Sequence, residues 1–123
     1  MNGNKLLADT NIIIYLLDGD RTVAGLLNEK TVHVSFVSQL ELLSYSKLSA
    51  QDEVRINDFL EQCIIVDINP SIKEEVIRIR KQHPLKLPDS IIVASALYLD
   101  IPLITSDQDL QKVEELSLVY YQK

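Results

Sequence analysis

The chain has 123 residues, 46% of them hydrophobic and 24% charged, which predicts a single soluble domain spanning residues 1–123. Its one cysteine, Cys63, excludes an intrachain disulfide framework and a cysteine-based zinc site, and the apolar run at residues 12–17 is too short to span a bilayer. The net charge of −6 argues against nucleic-acid binding through the bulk electrostatic field, and a cytoplasmic protein without membrane contact is the expectation.

Strand and helix patterns alternate along the chain. The predicted strands cover residues 5–8, 31–34, 64–68, 103–105 and 118–121, and the predicted helices cover residues 10–17, 21–27, 37–48, 51–62, 70–83, 89–99 and 107–115. In the helix at 51–62, Val54, Phe59 and Leu60 are expected to face inward. The alternation predicts an α/β domain with a parallel sheet, in which a functional site lies beyond the carboxyl ends of the strands.

Four carboxylates stand where this pattern predicts apolar residues or turns. Asp9 follows the first strand, and Glu41 interrupts an apolar helix. Asp89 opens the helix at 89–99, which is apolar nearly all round, and Asp107 follows the strand at 103–105. Acids in such positions are costly unless a cation compensates them, so they are candidate metal ligands.

Each acid also has an ordinary structural explanation. Asp9 and Asp89 suit helix N-caps, Glu41 suits a half-exposed helix, and Asp107 suits a turn that Ser106 caps. Their spread over four elements that a parallel fold brings together nevertheless favours one shared site. Clustered carboxylates repel one another, and Mg²⁺ or Mn²⁺ removes that repulsion because hard cations prefer oxygen ligands. Two such ions would bring the net charge to about −2, so the acidic composition does not exclude a nuclease.

Four sequence blocks resemble those of PIN-domain ribonucleases, and more narrowly of VapC toxins from toxin–antitoxin pairs. They are LADTN at 7–11, SQLELL at 38–43, LPDSIIVASA at 87–96 and LITSDQDL at 103–110, and the resemblance covers essentially the whole chain. It implies a PIN-like three-layer α/β domain with a small, mostly parallel sheet flanked by helices. It also implies a metal-dependent endoribonuclease that hydrolyses RNA phosphodiester bonds.

The same resemblance implies residue roles. The residues that would be catalytic and would hold one or two Mg²⁺ or Mn²⁺ ions are Asp9, Glu41, Asp89 and Asp107. Many family members place Asn at the position of Asp107 and an acid slightly later, so Asp109 is a further candidate ligand. Thr105 and Asn11 are candidate supporting residues, the latter by orienting Asp9.

Possible partners follow from basic and apolar positions. The densest basic stretch, a candidate for phosphate contact, contains Arg78, Arg80, Lys81 and Lys86, and its alternative interpretation is a solvated helix end. The resemblance implies an RNA substrate, a homodimer and a small antitoxin protein. An apolar groove for that antitoxin would involve Tyr15, Leu16, Leu42 and Tyr45, although ordinary core packing explains most of these residues.

Two other interpretations compete. A receiver domain with a phosphorylation switch is also an acidic α/β domain that binds magnesium at carboxylates, but it needs a pair of acids after the first strand, where Asp9 stands alone. A PIN fold without catalysis, acting only as a binding module, is the second alternative. The presence of all four expected acids argues against it.

Overall fold

Alternating strands and helices make up residues 3–123, the part of the chain that this computed structural model describes. The strands in these residues are Lys5–Ala8 (β1), Thr31–Ser35 (β2), Ile64–Val66 (β3), Leu103–Thr105 (β4) and Leu118–Tyr120 (β5). The α-helices are Thr10–Leu17 (α1), Arg21–Leu27 (α2), Phe36–Leu43 (α3), Ala50–Glu61 (α4), Pro70–Gln82 (α5) and Leu87–Leu99 (α6). A short 3-10 helix covers Gln108–Lys112. Among the described residues, none of the helices combines the length and apolarity that a membrane crossing needs.

The five strands form one parallel sheet in the order β3-β2-β1-β4-β5. The chain builds outward from β1 to β3 and then returns to place β4 on the other side of β1, so the strand order reverses between β1 and β4. Ligands of open parallel sheets bind beyond the carboxyl strand ends at such a reversal. A receiver domain places its first strand between the second and third, whereas here β1 lies between β2 and β4, which rules out the receiver interpretation.

Helices cover both faces of the sheet, because successive strand residues point to opposite sides. On one face, α5 and α6 pack against β1 and β4, and this layer buries Leu7, Ile79, Ile92, Val93 and Leu103. On the other face, α1, α2 and α4 pack against the same strands, and this layer buries Leu6, Ala8, Ile13, Leu60 and Ile104. The predicted α/β architecture of a parallel sheet between helical layers is therefore confirmed.

Helix α6 is the central helix that its composition predicts. Two of its buried residues are polar, and both are satisfied locally: Ser90 Oγ donates to the Leu87 carbonyl at 2.6 Å and Ser95 Oγ donates to the Ile91 carbonyl at 2.7 Å. The helix begins at Leu87, two residues earlier than predicted, because Pro88 fits a first turn whose N–H groups lack helical partners anyway. Asp89 therefore lies inside the first turn and is not the N-cap, a position that Lys86 holds.

Helix α3 ends at Leu43, whereas the apolar spacing predicts a helix to residue 48. Ser44 is its C-cap, and the hydroxyl of Ser49 caps the next helix by accepting the Asp52 N–H at 3.0 Å. The Ser49 side chain thus begins a new helix close to where the apolar spacing predicts that the previous one continues. As a consequence Tyr45 is 61% exposed and does not share a helical stripe with Glu41.

Other predictions also differ from the structure. In α4, Ile56 and Leu60 are buried one helical turn apart, whereas Val54, two residues before Ile56, points away from them and is 58% exposed. Val54 was therefore wrongly predicted to face inward. The helix predicted at 107–115 is the 3-10 helix Gln108–Lys112, and the strands predicted at 64–68 and 118–121 end at Val66 and Tyr120.

Candidate active site

Asp9 lies just beyond β1, at the reversal of strand order, and is 8% exposed. The Thr10 N–H donates to its Oδ1 at 2.8 Å, and the Thr105 hydroxyl donates to its Oδ2 at 2.6 Å. Burial raises the pKa of Asp9, the hydrogen bonds from Thr105 and Thr10 lower it, and the charges of Asp107 and Glu41 raise it further, with a net increase. Asp9 is an N-cap, as its ordinary explanation predicted, but capping leaves its burial beside other acids unexplained.

Thr105 connects two of the predicted acids. It lies fully buried at the end of β4, where its hydroxyl donates to Asp9 and accepts the backbone N–H of Asp107 at 3.0 Å. One side chain therefore fixes a rotamer of Asp9 and the path of the chain into Asp107. Asn11, the other predicted supporting residue, is exposed, so its orienting role stays a prediction.

Glu41 is positioned by a residue that the sequence did not indicate as part of the site. Its Oε1 accepts the Thr10 hydroxyl at 2.7 Å, and Thr10 Oγ1 also lies 2.7 Å from the hydroxyl of the buried Ser38. Because Thr10 carries one hydroxyl proton, donation to the carboxylate leaves it able to accept from Ser38. Glu41 itself is exposed rather than set into an apolar stripe. Thr10 and Ser38 were missed, although both stand inside the sequence blocks that contain the acids.

Asp89 and Asp107 complete the set. Burial raises the pKa of Asp89, the charges of Asp107, Asp9 and Glu41 raise it further, and Lys86 lowers it, with a net increase. Asp107 caps the 3-10 helix, since its Oδ1 accepts the Asp109 N–H at 2.9 Å. The ordinary explanation of this turn named Ser106 as the cap, which is wrong, because Asp107 has that role.

The four predicted acids line one cavity of about 570 Å³ at the carboxyl end of the sheet. Its lining residues are Asp9, Thr10, Asn11, Ile14, Glu41, Asp89, Ser106, Asp107 and Gln108. Within residues 3–123, no three His, Cys, Asp or Glu side chains already converge as a ready-made metal site, so the acids share a cavity without forming a coordination shell. Burial, and after it the charges of the neighbouring acids, raise the pKa values of Asp9 and Asp89. Carboxylate oxygens in such a cavity fit a hard divalent cation such as Mg²⁺ or Mn²⁺.

Asp109 lies on a neighbouring cavity. That cavity has a volume of about 240 Å³ and is lined by His83, Pro84, Leu85, Lys86, Asp89, Asp107, Asp109, Lys112 and Val113. The Asp109 side chain is 77% exposed, and its Oδ1 lies 3.9 Å from Lys112 Nζ. Asp89 and Asp107 thus form a wall between the two cavities, while Asp109 lines the smaller one.

In the predicted basic stretch, the two arginines bind other groups of the protein, whereas the two lysines are exposed to solvent. Arg78 forms a paired contact with Glu75, at 2.8 Å and 3.2 Å, and Arg80 Nε donates to the Leu85 carbonyl at 3.4 Å. Lys81 and Lys86 are exposed, and Lys86 lies on the smaller cavity beside Asp89. Of the four basic residues, Lys86 is therefore the one nearest to the acids by position.

An apolar groove of about 340 Å³ adjoins the acids on the opposite side. Its lining residues are Thr10, Ile14, Leu17, Asp18, Glu41, Leu42, Tyr45, Leu48, Asp52, Arg55 and Ile56. Leu42 and Tyr45 line it as the predicted groove requires. Tyr15 instead packs edge-on against Tyr121 with ring centroids 6.2 Å apart, and Leu16 packs against the core. Both residues therefore have the ordinary packing role that was the alternative to a groove.

A family model of the PIN domain matches residues 6–116. The chain therefore belongs to the PIN domain family, as its sequence blocks predicted, and PIN domains are generally nucleases. A search of curated proteins found no significant match.

Solved structures similar to this chain include several toxin–antitoxin complexes. A toxin–antitoxin complex from Klebsiella pneumoniae contains a chain that is 30% identical, with a TM-score of 0.80 over 93% of this chain and 95% of that one. VapBC-1 from nontypeable Haemophilus influenzae matches at 26% identity and a TM-score of 0.76, covering 94% and 97% of the two chains. VapBC2 from Rickettsia felis, bound to a DNA fragment from its promoter, is 21% identical with a TM-score of 0.81, covering 96% and 99%, and this match supports the fold alone.

Proposed function

We propose that this PIN domain is a metal-dependent endoribonuclease and the VapC-like toxin of a toxin–antitoxin pair. The single observation that carries the proposal is the convergence of Asp9, Glu41, Asp89 and Asp107 on one cavity at the reversal of strand order. These residues lie as far apart as positions 9 and 107 in the chain, and local structure alone gives no reason for them to share a cavity. Membership of the PIN family and likeness to toxin–antitoxin complexes support the same function.

The four acids would hold one or two Mg²⁺ or Mn²⁺ ions. When bound, such an ion supplies Lewis acidity that lowers the pKa of a bound water and neutralises charge on a phosphodiester. Asp9 is pre-oriented for the ligand role by Thr105 and Thr10, because both of its carboxylate oxygens already accept hydrogen bonds. Thr10 orients Glu41 in turn, so one threonine supports two ligands through different groups.

Carboxylates are the ionisable groups that this chain offers at the cavity. His33 is buried in β2, and His83 lies at the end of α5 with its Nε2 3.1 Å from Glu115 Oε1; neither lines the four-acid cavity. We therefore assign no catalytic role to either histidine. The contribution of the protein is to hold the acids rigidly at the ends of strands and helices, where substrate charge can be stabilised.

The proposed partners are an RNA substrate, a second copy of the chain and a small antitoxin. The groove beside the acids suits an amphipathic segment of the antitoxin, because Leu42, Leu48 and Ile56 offer apolar contacts. A homodimer is proposed from the resemblance to VapC toxins, and exposed apolar side chains at Ile77 and Leu87 are available for such contacts. We also propose a cytoplasmic location, where RNA is accessible.

Cleavage of single-stranded RNA by the purified protein in Mn²⁺ tests the function. Asp9→Asn should abolish cleavage, while Asp58→Asn, which alters an exposed acid on α4, should cleave at the wild-type rate. Circular dichroism should show both variants folded. Cleavage by Asp9→Asn at the wild-type rate would show that the assignment of Asp9 is wrong.

A thermal-shift titration tests metal binding without any RNA. Mn²⁺ at about 100 times its dissociation constant stabilises a folded protein by about 2.7 kcal/mol, which for a chain of this size raises Tm by roughly 10 °C. We expect this shift in the wild type and its loss in Glu41→Gln, in which the amide oxygen still accepts the Thr10 hydroxyl. A wild type that neither shifts nor cleaves would instead support a non-catalytic PIN-fold binding module.

A further inference from the structure

The cavity of the four acids has two neighbours with different charge. The apolar groove on one side shares Thr10, Ile14 and Glu41 with it, whereas the smaller cavity on the other side shares Asp89 and Asp107. An RNA strand bound at the acids can continue over either neighbour. Their charges therefore decide the direction in which an RNA strand runs from the acids.

The groove side is unfavourable for RNA. Beyond the shared Glu41, two further acids line it, Asp18 and Asp52. Among the described residues that line it, the one cation is Arg55. Its guanidinium is already engaged, since it donates to the Leu17 carbonyl and lies 3.9 Å from Asp52. Phosphates in this groove would meet like charge and an apolar surface.

The lining of the smaller cavity is positively charged overall when Asp89 and Asp107 are assigned to the metal site. Lys86 and Lys112 line it, and within residues 3–123 the one remaining acid on its wall is Asp109. Lys112 lies 3.9 Å from Asp109, but both side chains are more than three-quarters exposed, so this ion pair is weak and can be replaced by a phosphate. Lys86 is exposed at the start of α6 and lines this cavity together with Asp89.

We propose that the phosphodiester adjacent to the scissile one binds in this smaller cavity, against the ammonium groups of Lys86 and Lys112. The flank of the RNA strand that carries this phosphodiester then runs from the acids toward the 3-10 helix rather than over the apolar groove. The inference rests on the proposed ribonuclease function and adds the substrate path to it. Lys112 is a site residue that the sequence did not indicate. Of the predicted basic stretch, Lys86 lines this cavity, whereas Arg78, Arg80 and Lys81 do not.

The test compares matched lysine variants in RNA cleavage at several KCl concentrations with Mn²⁺. Each phosphate contact with a single strand contributes about 0.7 to the slope of log affinity against log salt, which is about fivefold in affinity at 0.1 M salt. The double variant Lys86→Gln, Lys112→Gln should therefore raise KM by about fivefold if both lysines hold one phosphate, and by about 25-fold if they hold two. The slope should fall by about 0.7 or 1.4 respectively, with kcat little changed.

Two control variants locate the effect. Lys73→Gln alters an exposed lysine on α5, and Lys47→Gln alters an exposed lysine between Tyr45 and Leu48 on the groove side. We expect wild-type KM and salt slope for both. A larger effect from Lys47→Gln than from the double variant would overturn the inference, because the strand would then run over the groove.

Mn²⁺ titration calorimetry separates failure of this inference from failure of the proposed function. The double variant should still bind Mn²⁺, since neither lysine is a proposed ligand. Loss of two nearby positive charges should leave the Mn²⁺ affinity equal to that of the wild type or slightly higher. If the wild type cleaves RNA and the double variant has unchanged KM, the substrate path is wrong and the ribonuclease function stands. If the wild type neither binds Mn²⁺ nor cleaves RNA, both proposals are overturned.

Discussion

Thr105→Val removes one hydroxyl that supports two acids at once. The replacement keeps the β-branched shape of the fully buried side chain, so its size changes little while its hydroxyl is lost. It removes the hydrogen bond to Asp9 Oδ2 at 2.6 Å and the acceptor of the Asp107 N–H at 3.0 Å. The variant therefore isolates the hydrogen-bonding role of this residue from its volume.

The magnitude follows from these two contacts. A hydrogen bond to a charged group contributes about 1.5–3 kcal/mol, and leaving a donor without a partner costs about 1–3 kcal/mol when it is buried. Because the Asp107 N–H is only partly buried, we expect a total loss of about 2–4 kcal/mol in the free energy of unfolding. Mn²⁺ affinity should fall by about 10- to 100-fold, as is usual when a residue that orients a metal ligand is removed.

Urea denaturation in EDTA measures the stability, and calorimetric titration with Mn²⁺ measures the affinity. Thr105→Ser is the matched control, because it keeps the hydroxyl and loses a methyl group that contributes about 1 kcal/mol. We expect near wild-type Mn²⁺ affinity in the serine variant. If the valine variant matches the wild type in both measurements, Thr105 does not position Asp9.

Two further predictions concern parts of the fold outside the acids. Tyr121 donates its hydroxyl to Asp20 at 2.7 Å, which lowers the pKa of Asp20 from 3.8 and raises that of Tyr121 from 10.0. The stabilisation by this hydrogen bond is present above the unfolded pKa of Asp20 and is lost as pH falls through the lower folded pKa. It is also lost as pH rises through the raised pKa of Tyr121. Urea denaturation of Tyr121→Phe should therefore show its largest loss of stability between about pH 4 and 10, and a loss that does not vary with pH would contradict this. Ile79→Ala, at a fully buried position in α5, should cost about 2–5 kcal/mol by urea denaturation while Mn²⁺ affinity of the folded protein is unchanged, and a loss below about 1 kcal/mol would show that Ile79 is not tightly packed.

Much of the fold could be predicted because its signals are local. The start of α5 shows this, since Asn69 accepts the Ile72 N–H at 2.8 Å and Pro70 occupies the first turn, as their residue types indicate. The end of α3 could not be predicted in the same way. Apolar residues at Tyr45 and Leu48 continue the helical spacing, whereas the chain leaves the helix after Leu43 and the Ser49 side chain caps the next one.

The candidate site, too, could be predicted from the sequence only in part. Acids that follow strands can be recognised from the sequence, and parallel topology predicts that their side chains approach one another. The bond from Thr10 to Glu41 joins residues 31 positions apart, and no pattern in either helix indicates it. Nor could spacing separate Asp107 from Ser106 as the cap of the 3-10 helix, because both residue types suit that position.

Anomalous diffraction from crystals soaked in Mn²⁺ tests most directly whether the four acids share a divalent ion. We expect one or two manganese peaks within coordination distance of the Asp9, Glu41, Asp89 and Asp107 carboxylates, and no peak there in crystals of Asp9→Asn. Saturating Mn²⁺ that produces no peak at this cavity in the wild type would show that the four acids do not share a divalent ion, even if peaks appeared elsewhere on the surface.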